Sequence, residues 1–260
     1  HAHLYHALVL AGLTKCISPS LKIIWTSHSA RQTSFIRNLM VFLTLPMRKH
    51  DILFMEDMQT WYTKKRYSII PNGVELQKTK HDLKKYDTFT FISVGRLEPV
   101  KNHQLLVNIF YKLSHINCNL IIVGSGPKYS SLKAAINKFN LDERIQLMGY
   151  KDDVGELIAK SHCFLLPSLR EGLPLVVLES ALCKVPIIAS SQSISDTLIG
   201  KDEGYVIGLT DFEKAMLEVI NNYGKAQMKA ENFYSKVKQH YSLESCLQSH
   251  ERLYAKIAHE

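Results

Sequence analysis

The sequence has few cysteines, no long apolar run and no segment of low complexity. Its five cysteines are scattered, odd in number and without a CxxC pair, which argues against a disulfide framework or a structural zinc site and favours a reducing cytoplasm. The longest apolar stretch, 39–47, is too short to cross a bilayer. With 46% hydrophobic and 22% charged residues, the 260-residue chain has the composition of a soluble protein with one large or two small domains.

The net charge of +8 is distributed unevenly along the chain. Residues 1–70 hold nine Lys and Arg against three acids, a net charge of +6, which leaves +2 for the remainder. Such a basic segment is typical of proteins that meet an anionic membrane surface, a phosphorylated acceptor or nucleic acid, and it also occurs as an ordinary solvated surface. Because the sequence has neither a recognition-helix pattern nor an aromatic stacking signature, we expect no nucleic-acid partner.

The second half of the chain alternates apolar strands with amphipathic helices, which predicts an α/β fold with a doubly wound parallel sheet. The predicted strands are 89–94, 119–123, 145–148, 163–167, 186–190 and 205–207. The predicted helices are 102–114, 128–139, 154–160, 174–183 and 211–223. Ligands bind such sheets beyond the carboxyl ends of the strands, where Gly95, Gly124, Gly149 and the loop 168–172 fall.

The first part of the chain repeats this pattern less completely. Its predicted helices are 4–14, 35–45 and 59–65, and its predicted strands are 22–26, 52–55 and 68–71. A polar stretch without apolar periodicity, 75–88, reads as a linker. We therefore divide the chain into a partial first lobe (1–70), a linker (71–88), a second lobe (89–240) and a final helix (241–260) that we expect to pack back toward the first lobe.

The segment 163–179, CFLLPSLREGLPLVVLE, carries the most chemistry. It predicts a buried strand, a tight loop with Glu171 and Gly172, and a helix that Pro174 opens and that carries Glu179. The helix N-terminus that lies between these two carboxylates is a typical binding site for a phosphate group. We expect the carboxylates to lie roughly 8–12 Å apart, a span that suits the two ends of a nucleotide-sugar. The alternative is two acids that share no ligand.

Other loops at the same sheet edge offer weaker signals. Arg96 and Lys101 combine a bidentate fork with a mobile point charge, which suits a diphosphate but also occurs as two solvated cations. Gly124 and Gly126 allow either a tight turn or a close approach to a ligand. Because position 129 is Tyr129, the third glycine of a dinucleotide fingerprint is missing.

Polar side chains also follow two further predicted strands. Tyr150 lies in the loop that follows the predicted strand 145–148. That loop could hold a nucleobase, or it could be a simple turn. His28 ends a strand of the first lobe and is expected to face the cleft between the lobes, although a lone histidine is often structural. For the three histidines near the start of the chain we assign no metal, because no acid or cysteine is spaced to complete a site: His1, His3 and His6.

Together, the motifs GRLEPVKN, VGSGP, LMGYKDD and EGLPLVVLE resemble the retaining glycosyltransferases of family 4, within the group 1 glycosyltransferases. HAHLYHA, TSH and IPNGVE resemble later parts of that family's N-terminal lobe and its linker. The resemblance implies the GT-B fold, with two Rossmann-like lobes of which the first is incomplete here. It also implies transfer from a nucleotide-diphosphate sugar with retention, and neither a divalent metal nor another cofactor.

The resemblance implies roles for the charged residues of the site. Arg96 and Lys101 would bind the donor diphosphate, Glu171 the sugar and Glu179 the ribose hydroxyls. His28 would lie near the anomeric centre. We assign Glu171, Arg96, Lys101 and His28 to the catalytic set.

The resemblance also implies backbone contacts to the donor. The N–H groups of Leu175 and Val176 would hold phosphate oxygens, and Gly149 and Tyr150 would flank the base. The other positions assigned to donor binding are Gly95, Gly124, Gly172 and Leu173.

The chain departs from the family pattern at three places. It starts partway through the first lobe, so part of the acceptor site is expected to be absent. Lys184 stands where the family usually has a glycine, at a cost of about 1 kcal/mol if the residue is a left-handed helix cap. The loop 190–196 lacks the usual glycines, so the identity of the sugar does not follow.

The function expected from the sequence is a glycosyltransferase that acts on a glycan or lipid-linked acceptor, in surface polysaccharide or lipopolysaccharide synthesis. We expect it in the cytoplasm, at the inner face of the membrane. The alternative is a truncated donor-binding module with little independent activity, which needs a partner or the missing part of the first lobe. A third, weaker option is another GT-B activity such as a sugar epimerase or phosphorylase.

Overall fold

The computed structural model describes residues 1–28, 35–76, 83–194 and 196–260. Arg31, part of the linker 71–88 and one position of the loop 190–196 lie outside the described residues. The described helices are α1 (Tyr5–Ile17), α2 (Phe35–Leu43), α3 (His103–Lys112), α4 (Tyr129–Lys138), α5 (Gly155–Lys160), α6 (Leu175–Leu182), α7 (Phe212–Asn221), α8 (Tyr223–His240) and α9 (Leu243–His259). The described strands are β1 (Ile23–Thr26), β2 (Arg48–Leu53), β3 (Tyr67–Ile69), β4 (Phe89–Val94), β5 (Cys118–Val123), β6 (Ile145–Leu147), β7 (Cys163–Leu166), β8 (Ile187–Ser190) and β9 (Tyr205–Ile207).

The chain folds into two compact units. The first comprises His1–Gly73, Glu171–Leu173 and Tyr241–Glu260, and the second comprises Val74–Arg170 and Pro174–His240. The sequence-based division assigns residues 171–173 to the second lobe, whereas in the structure they belong to the first unit.

The second unit is built on a parallel sheet in the order β6-β5-β4-β7-β8-β9. Its inner strands are continuous apolar runs because helices cover both faces of such a sheet, and β7 and β8 are buried at every position. The α/β fold with a doubly wound parallel sheet, predicted from the alternation of strands and helices, is confirmed.

The first unit contains a smaller parallel sheet in the order β1-β2-β3, with Ala2 bridged to Trp25. Helix α9 packs on this sheet, where Leu253 and Ile257 join a buried cluster with Ile24 and Ile52. The Nζ of Lys22 donates to the carbonyls of residues 257 and 258 at the C-terminal end of the helix, at 2.9 Å each. A cation at that end also complements the helix dipole.

Strand β2 begins four residues earlier than the predicted strand 52–55. The sequence prediction is wrong there because the polar residues at its start are buried as an ion pair. Arg48 and Asp51 are joined at 2.8 Å with both side chains fully buried, and Arg48 also donates to the carbonyl of Tyr62 at 2.7 Å. A paired and hydrogen-bonded charge can be buried where an isolated one cannot.

The helix predicted over 59–65 is also wrong. The segment forms turns after a short 3₁₀ helix at Glu56–Met58. Side chains capture the backbone groups that a helix would use, because Asp51 accepts from the N–H of Lys64 at 2.6 Å and Thr63 accepts from the N–H of Thr60 at 3.0 Å. Such side-chain bonds compete with helix formation.

Lys184 has a φ of 54°, so the expected left-handed residue after α6 is confirmed. Its ammonium lies 3.0 Å from the carboxylate of Glu231 and 4.8 Å from the ring centre of Tyr234, both on α8. These contacts offset part of the cost of a side chain in this conformation.

Candidate functional site

The strand order of the second unit creates a crevice at one edge of its sheet. Strands β4 and β7 are neighbours in the sheet. From β4 the chain continues to β5 on one side, and from β7 it continues to β8 on the other side, so the loops that follow these two strands diverge. Ligands bind doubly wound sheets at this point, outside the carboxyl ends of the strands.

The loop after β4 brings three of the predicted residues together. A Cβ added at Gly95 would meet the side chain of Lys101 at 3.5 Å, so the lysine stem lies over the glycine. Arg96 is 75% exposed and forms an ion pair with Glu98 at 2.8 Å. The two cations therefore lie on one loop. To bind a phosphate, Arg96 would either break its ion pair with Glu98 or contact both groups at once.

The loops after β4 and β7 are tied to each other. The N–H of Leu169 donates to the carbonyl of Val100 at 2.8 Å, and the amide of Asn102 donates to the carbonyl of Pro167 at 3.3 Å. Asn102 has a φ of 53°, which turns the chain directly into α3. The sequence motif GRLEPVKN thus contains a residue, Asn102, whose role is to hold the crevice in shape.

Gly124 and Gly126 are required by the packing of backbone against backbone. Their φ angles are +144° and +154°, and added Cβ atoms would lie 2.0 Å from the carbonyl oxygen of Gly95 and 2.6 Å from that of Leu97. The N–H of Leu97 also donates to the carbonyl of Ser125 at 2.8 Å. Of the two interpretations that the sequence allowed, a tight turn accounts for these glycines without a ligand.

Gly149 and Tyr150, at the end of β6, have open surroundings. Gly149 has a φ of +66°, and a Cβ added there would meet nothing within 4 Å. The side chain of Tyr150 is 70% exposed, and its hydrogen bond to Asp152 raises the pKa of the phenol. The space beside this loop is therefore open.

Helix α6 begins at Leu175 after Pro174, and within the described residues no side chain caps its first turn. Since the first N–H groups of a helix have no intrahelical partner, those of Leu175 and Val176 are available to an anion. Glu179 lies one turn further along the helix and is partly buried. Burial, and then the charge of Asp153 on the loop after β6, raise the pKa of the Glu179 carboxyl above its ordinary value.

The remaining predicted residues lie in the first unit. Glu171 and Gly172 are partly exposed and Leu173 is buried. His28 follows β1, and its Nε2 lies 3.2 Å from the Nδ1 of His3. Burial, and then the proximity of His3, lower the pKa of His28, which favours a neutral imidazole near pH 7.

Sequence reasoning missed two neighbours of the candidate residues. His3, to which the sequence analysis assigned no role, is the hydrogen-bond partner of His28. Asp153 lies in the motif LMGYKDD, but nothing in that motif indicates its proximity to Glu179. Among the described residues, no three His, Cys, Asp or Glu side chains are grouped as a metal site would require.

The sequence matches the family described as glycosyl transferases group 1 over residues 75–239. The chain belongs to the group 1 glycosyl transferases. The match spans the second unit almost completely, including every loop of the crevice. The family expected from the motifs is thereby confirmed.

Two curated relatives act on lipid-linked acceptors, as their names state. The chain is 28% identical over 216 residues to the N-acetylgalactosamine-N,N'-diacetylbacillosaminyl-diphospho-undecaprenol 4-alpha-N-acetylgalactosaminyltransferase of Campylobacter jejuni, covering 79% of this chain and 58% of that one. It is 35% identical over 167 residues to the UDP-Gal:alpha-D-GlcNAc-diphosphoundecaprenol alpha-1,3-galactosyltransferase of Escherichia coli, covering 57% of this chain and 43% of that one. The chain thus spans about half the length of these relatives.

Solved structures agree on the fold. HepE of Anabaena in complex with UDP aligns with a TM-score of 0.86 at 16% identity, covering 98% of this chain and 79% of that one. The sucrose-phosphate synthase of Thermosynechococcus elongatus aligns with a TM-score of 0.83 at 17% identity, covering 98% of this chain and 72% of that one. The GT-B fold expected from the resemblance is confirmed. Within the described parts of this group 1 member, no helix has both the length and the apolar character to cross a bilayer.

Proposed function

We propose that this chain is the catalytic part of a retaining glycosyltransferase that moves a sugar from a nucleotide-diphosphate donor to a glycan or lipid-linked acceptor. Membership of the group 1 family supports the reaction class. The observation that carries the donor assignment is the arrangement of α6, whose uncapped first turn and partly buried Glu179 lie at the sheet edge where the crevice opens.

In the proposed site the donor diphosphate lies at the uncapped start of α6 and is bound by Lys101 and Arg96. Fixed cations and helix amides stabilise the negative charge that develops on the leaving diphosphate, and they need no reorganisation during the reaction. Glu179 accepts hydrogen bonds from the ribose hydroxyls, and the open space at Gly149 takes the base. Glu171 and His28 are proposed to act at the sugar.

We propose UDP as the nucleotide. The Escherichia coli relative uses UDP-Gal according to its name, and HepE of Anabaena was solved with UDP. The proposal needs no metal ion, because the cations of the loop after β4 and the first turn of α6 supply the positive charge.

The acceptor is proposed to be lipid-linked, which agrees with the names of both curated relatives.

Peripheral contact with an anionic membrane would bring the chain to such an acceptor. Exposed apolar side chains on α2, Phe35 and Ile36 at 72% and 70%, together with Trp61 at 56%, favour that contact. The charge argument is weaker than the sequence suggests, because Arg48 is buried against Asp51 and Lys22 binds the end of α9. Co-sedimentation with anionic vesicles should fall in the Phe35→Ser/Ile36→Ser variant and remain unchanged in Leu247→Ser.

The donor site is tested by titrating UDP, GDP and ADP into the chain without Mg²⁺ while the unfolding temperature is recorded. UDP at ~100 times its dissociation constant should add about 2.7 kcal/mol to the free energy of unfolding. Glu179→Gln should weaken UDP binding by about tenfold or more, because it removes hydrogen bonds to a charged group. The matched control is Glu143→Gln, which changes an exposed glutamate before β6.

Turnover of a UDP-sugar is measured separately. Lys101→Ala should abolish transfer and Glu171→Gln should abolish it while UDP still binds. Binding of UDP without transfer to any lipid-linked acceptor would favour the alternative, a donor-binding module with little independent activity. Equal UDP affinity in the Glu179→Gln and Glu143→Gln variants would contradict the donor assignment itself.

A further inference from the structure

The ion pair of Arg96 and Glu98 lies on the loop after β4, with 2.8 Å between Nη1 of the arginine and Oε1 of the glutamate. Arg96 is one of the two cations proposed above to bind the donor diphosphate. Its partner has no role in that proposal, although a carboxylate and a phosphate bind to the same N–H donors of a guanidinium. Glu98 therefore places a negative charge where the proposed site has to receive an anion.

The backbone holds the two residues of this pair beside each other. Leu97 lies between them and is 1% exposed. Its N–H donates to the carbonyl of Ser125 at 2.8 Å, and its carbonyl accepts from the N–H of Lys128 at 2.9 Å, so the loop after β5 fixes it from both sides. The N–H of Glu98 also donates to the carbonyl of Arg96 at 2.8 Å. Only side-chain freedom is therefore lost when the ion pair forms.

The two side chains of the pair differ in exposure. The side chain of Arg96 is 75% exposed, whereas that of Glu98 is 30% exposed. Glu98 also begins the 3₁₀ turn Pro99–Lys101, where its carbonyl accepts from the N–H of Lys101 at 3.1 Å. The glutamate is thus the more enclosed partner, and the arginine has the greater freedom to turn toward a ligand.

We propose that Glu98 is a positioning residue that acts through Arg96: it competes with the diphosphate for the guanidinium and so favours release of the nucleotide diphosphate after transfer. This inference rests on the proposed function, in which Arg96 binds the diphosphate. The leaving diphosphate carries about one negative charge more than the donor, because its terminal phosphate is no longer esterified to the sugar and has a second pKa near about 6. The cations of the loop would hold it more tightly than the donor, and the competing carboxylate opposes this.

The first measurement is the dissociation constant of UDP without Mg²⁺, by calorimetry on the full chain. Glu98→Gln keeps the size of the side chain and removes its charge. Since an exposed ion pair corresponds to a factor of about two to five in a binding constant, this variant should bind UDP about two to five times more tightly. The matched control is Glu143→Gln, which removes the same charge from an exposed glutamate before β6 and should leave the constant unchanged.

A double-mutant cycle tests whether the effect of Glu98 passes through Arg96. Arg96→Ala alone should weaken UDP binding by about tenfold or more, because it removes hydrogen bonds to a charged group. In the Arg96→Ala background, Glu98→Gln should change the affinity by less than about 1.5-fold, since no guanidinium is left for the carboxylate to occupy. An equal gain in both backgrounds would mean that Glu98 acts by its charge alone, and it would overturn the proposal.

The effect on release is measured with two ligands. The rate of UDP dissociation, followed by stopped-flow displacement, should fall about two- to fivefold in Glu98→Gln. The gain in affinity should be smaller for UDP-galactose, whose diphosphate carries less charge. A dissociation rate that stays unchanged, or an equal gain for both ligands, would contradict the role in release.

Failure of this inference differs from failure of the donor site. Unchanged UDP affinity in Glu98→Gln would overturn the inference alone, and so would weaker binding, which would mean that Glu98 holds Arg96 in place for the phosphate. The donor site itself would be contradicted by a chain that does not bind UDP, or by equal UDP affinity in the Arg96→Ala variant and the unchanged chain.

Discussion

The loops after β5 and β6 both carry a glycine with positive φ at the same sheet edge, yet for different physical reasons. At Gly124 the backbone of Gly95 occupies the place of a side chain, with its carbonyl oxygen 2.0 Å from an added Cβ. At Gly149 the same construction meets nothing within 4 Å. The first glycine therefore serves the packing of two loops, while the second leaves space beside the crevice.

This difference shows what a glycine at a strand end indicates. The motif VGSGP invites a comparison with phosphate-binding loops, but its glycines are explained by the neighbouring loop of the same unit. The carbonyl of the single glycine of LMGYKDD accepts from the N–H of Gly124 at 2.8 Å, but within the described residues no backbone occupies the place of its side chain, and the space on that side is open. Spacing in the sequence does not distinguish the two cases, because the neighbouring backbone comes from a distant part of the chain.

The largest effect that tests this comparison is expected from Gly124→Ala. The methyl group must displace the backbone of Gly95, and a φ of +144° is poorly tolerated by any other residue. The free energy of unfolding should fall by about 3 kcal/mol or more. Urea unfolding followed by circular dichroism measures it. A loss below about 1 kcal/mol would mean that the two loops separate easily and that the packing explanation fails.

Gly149→Ala should have a smaller effect on stability, because the cost comes from the conformation alone. A φ of +66° is the left-handed region, and a methyl group there costs about 1 kcal/mol. The same urea experiment provides the comparison, with Gly224→Ala as the control. Gly224 has equally open surroundings but ordinary helical φ, so its substitution should leave stability unchanged or slightly higher. A loss at Gly149 as large as that at Gly124 would remove the distinction between the loops.

The smallest effect is expected from Asp153→Asn, which changes the charge beside the open loop. Since Asp153 contributes to the raised pKa of Glu179, the substitution should lower that pKa toward its ordinary value. A raised pKa in the folded state means that stability falls as the pH rises from the ordinary to the raised value, and this fall should shrink in the variant. A ¹³C NMR titration of the Glu179 carboxyl measures the midpoint. An unchanged midpoint would show that burial alone sets the pKa.

Most of the second unit could be predicted from the sequence because its strands are continuous apolar runs separated by amphipathic helices. The positions of Gly95, Lys101 and Glu179 at one edge follow from that topology. The proximity of Asp153 to Glu179 could not be predicted, because it joins a loop and a helix that local patterns do not relate. For the same reason the hydrogen bond between His3 and His28 was not expected.

The first unit was harder to predict because polar contacts replace local propensity there. The segment 48–51 is polar and charged, so its apolar pattern begins late, and the strand was expected four residues further along. The turns after residue 58 depend on Asp51 as an acceptor, although that residue lies before them in the chain. A prediction from short windows cannot weigh such contacts.

The buried pair of Arg48 and Asp51 also restricts how this chain can vary over evolutionary time. Loss of either partner leaves an uncompensated charge inside the first unit, at a cost of about 3–5 kcal/mol, which is a large part of the stability of an ordinary domain. Joint replacement by apolar residues of similar volume can be neutral. Descendants of this sequence should therefore keep both residues or exchange both, and lineages that carry one without the other should be rare.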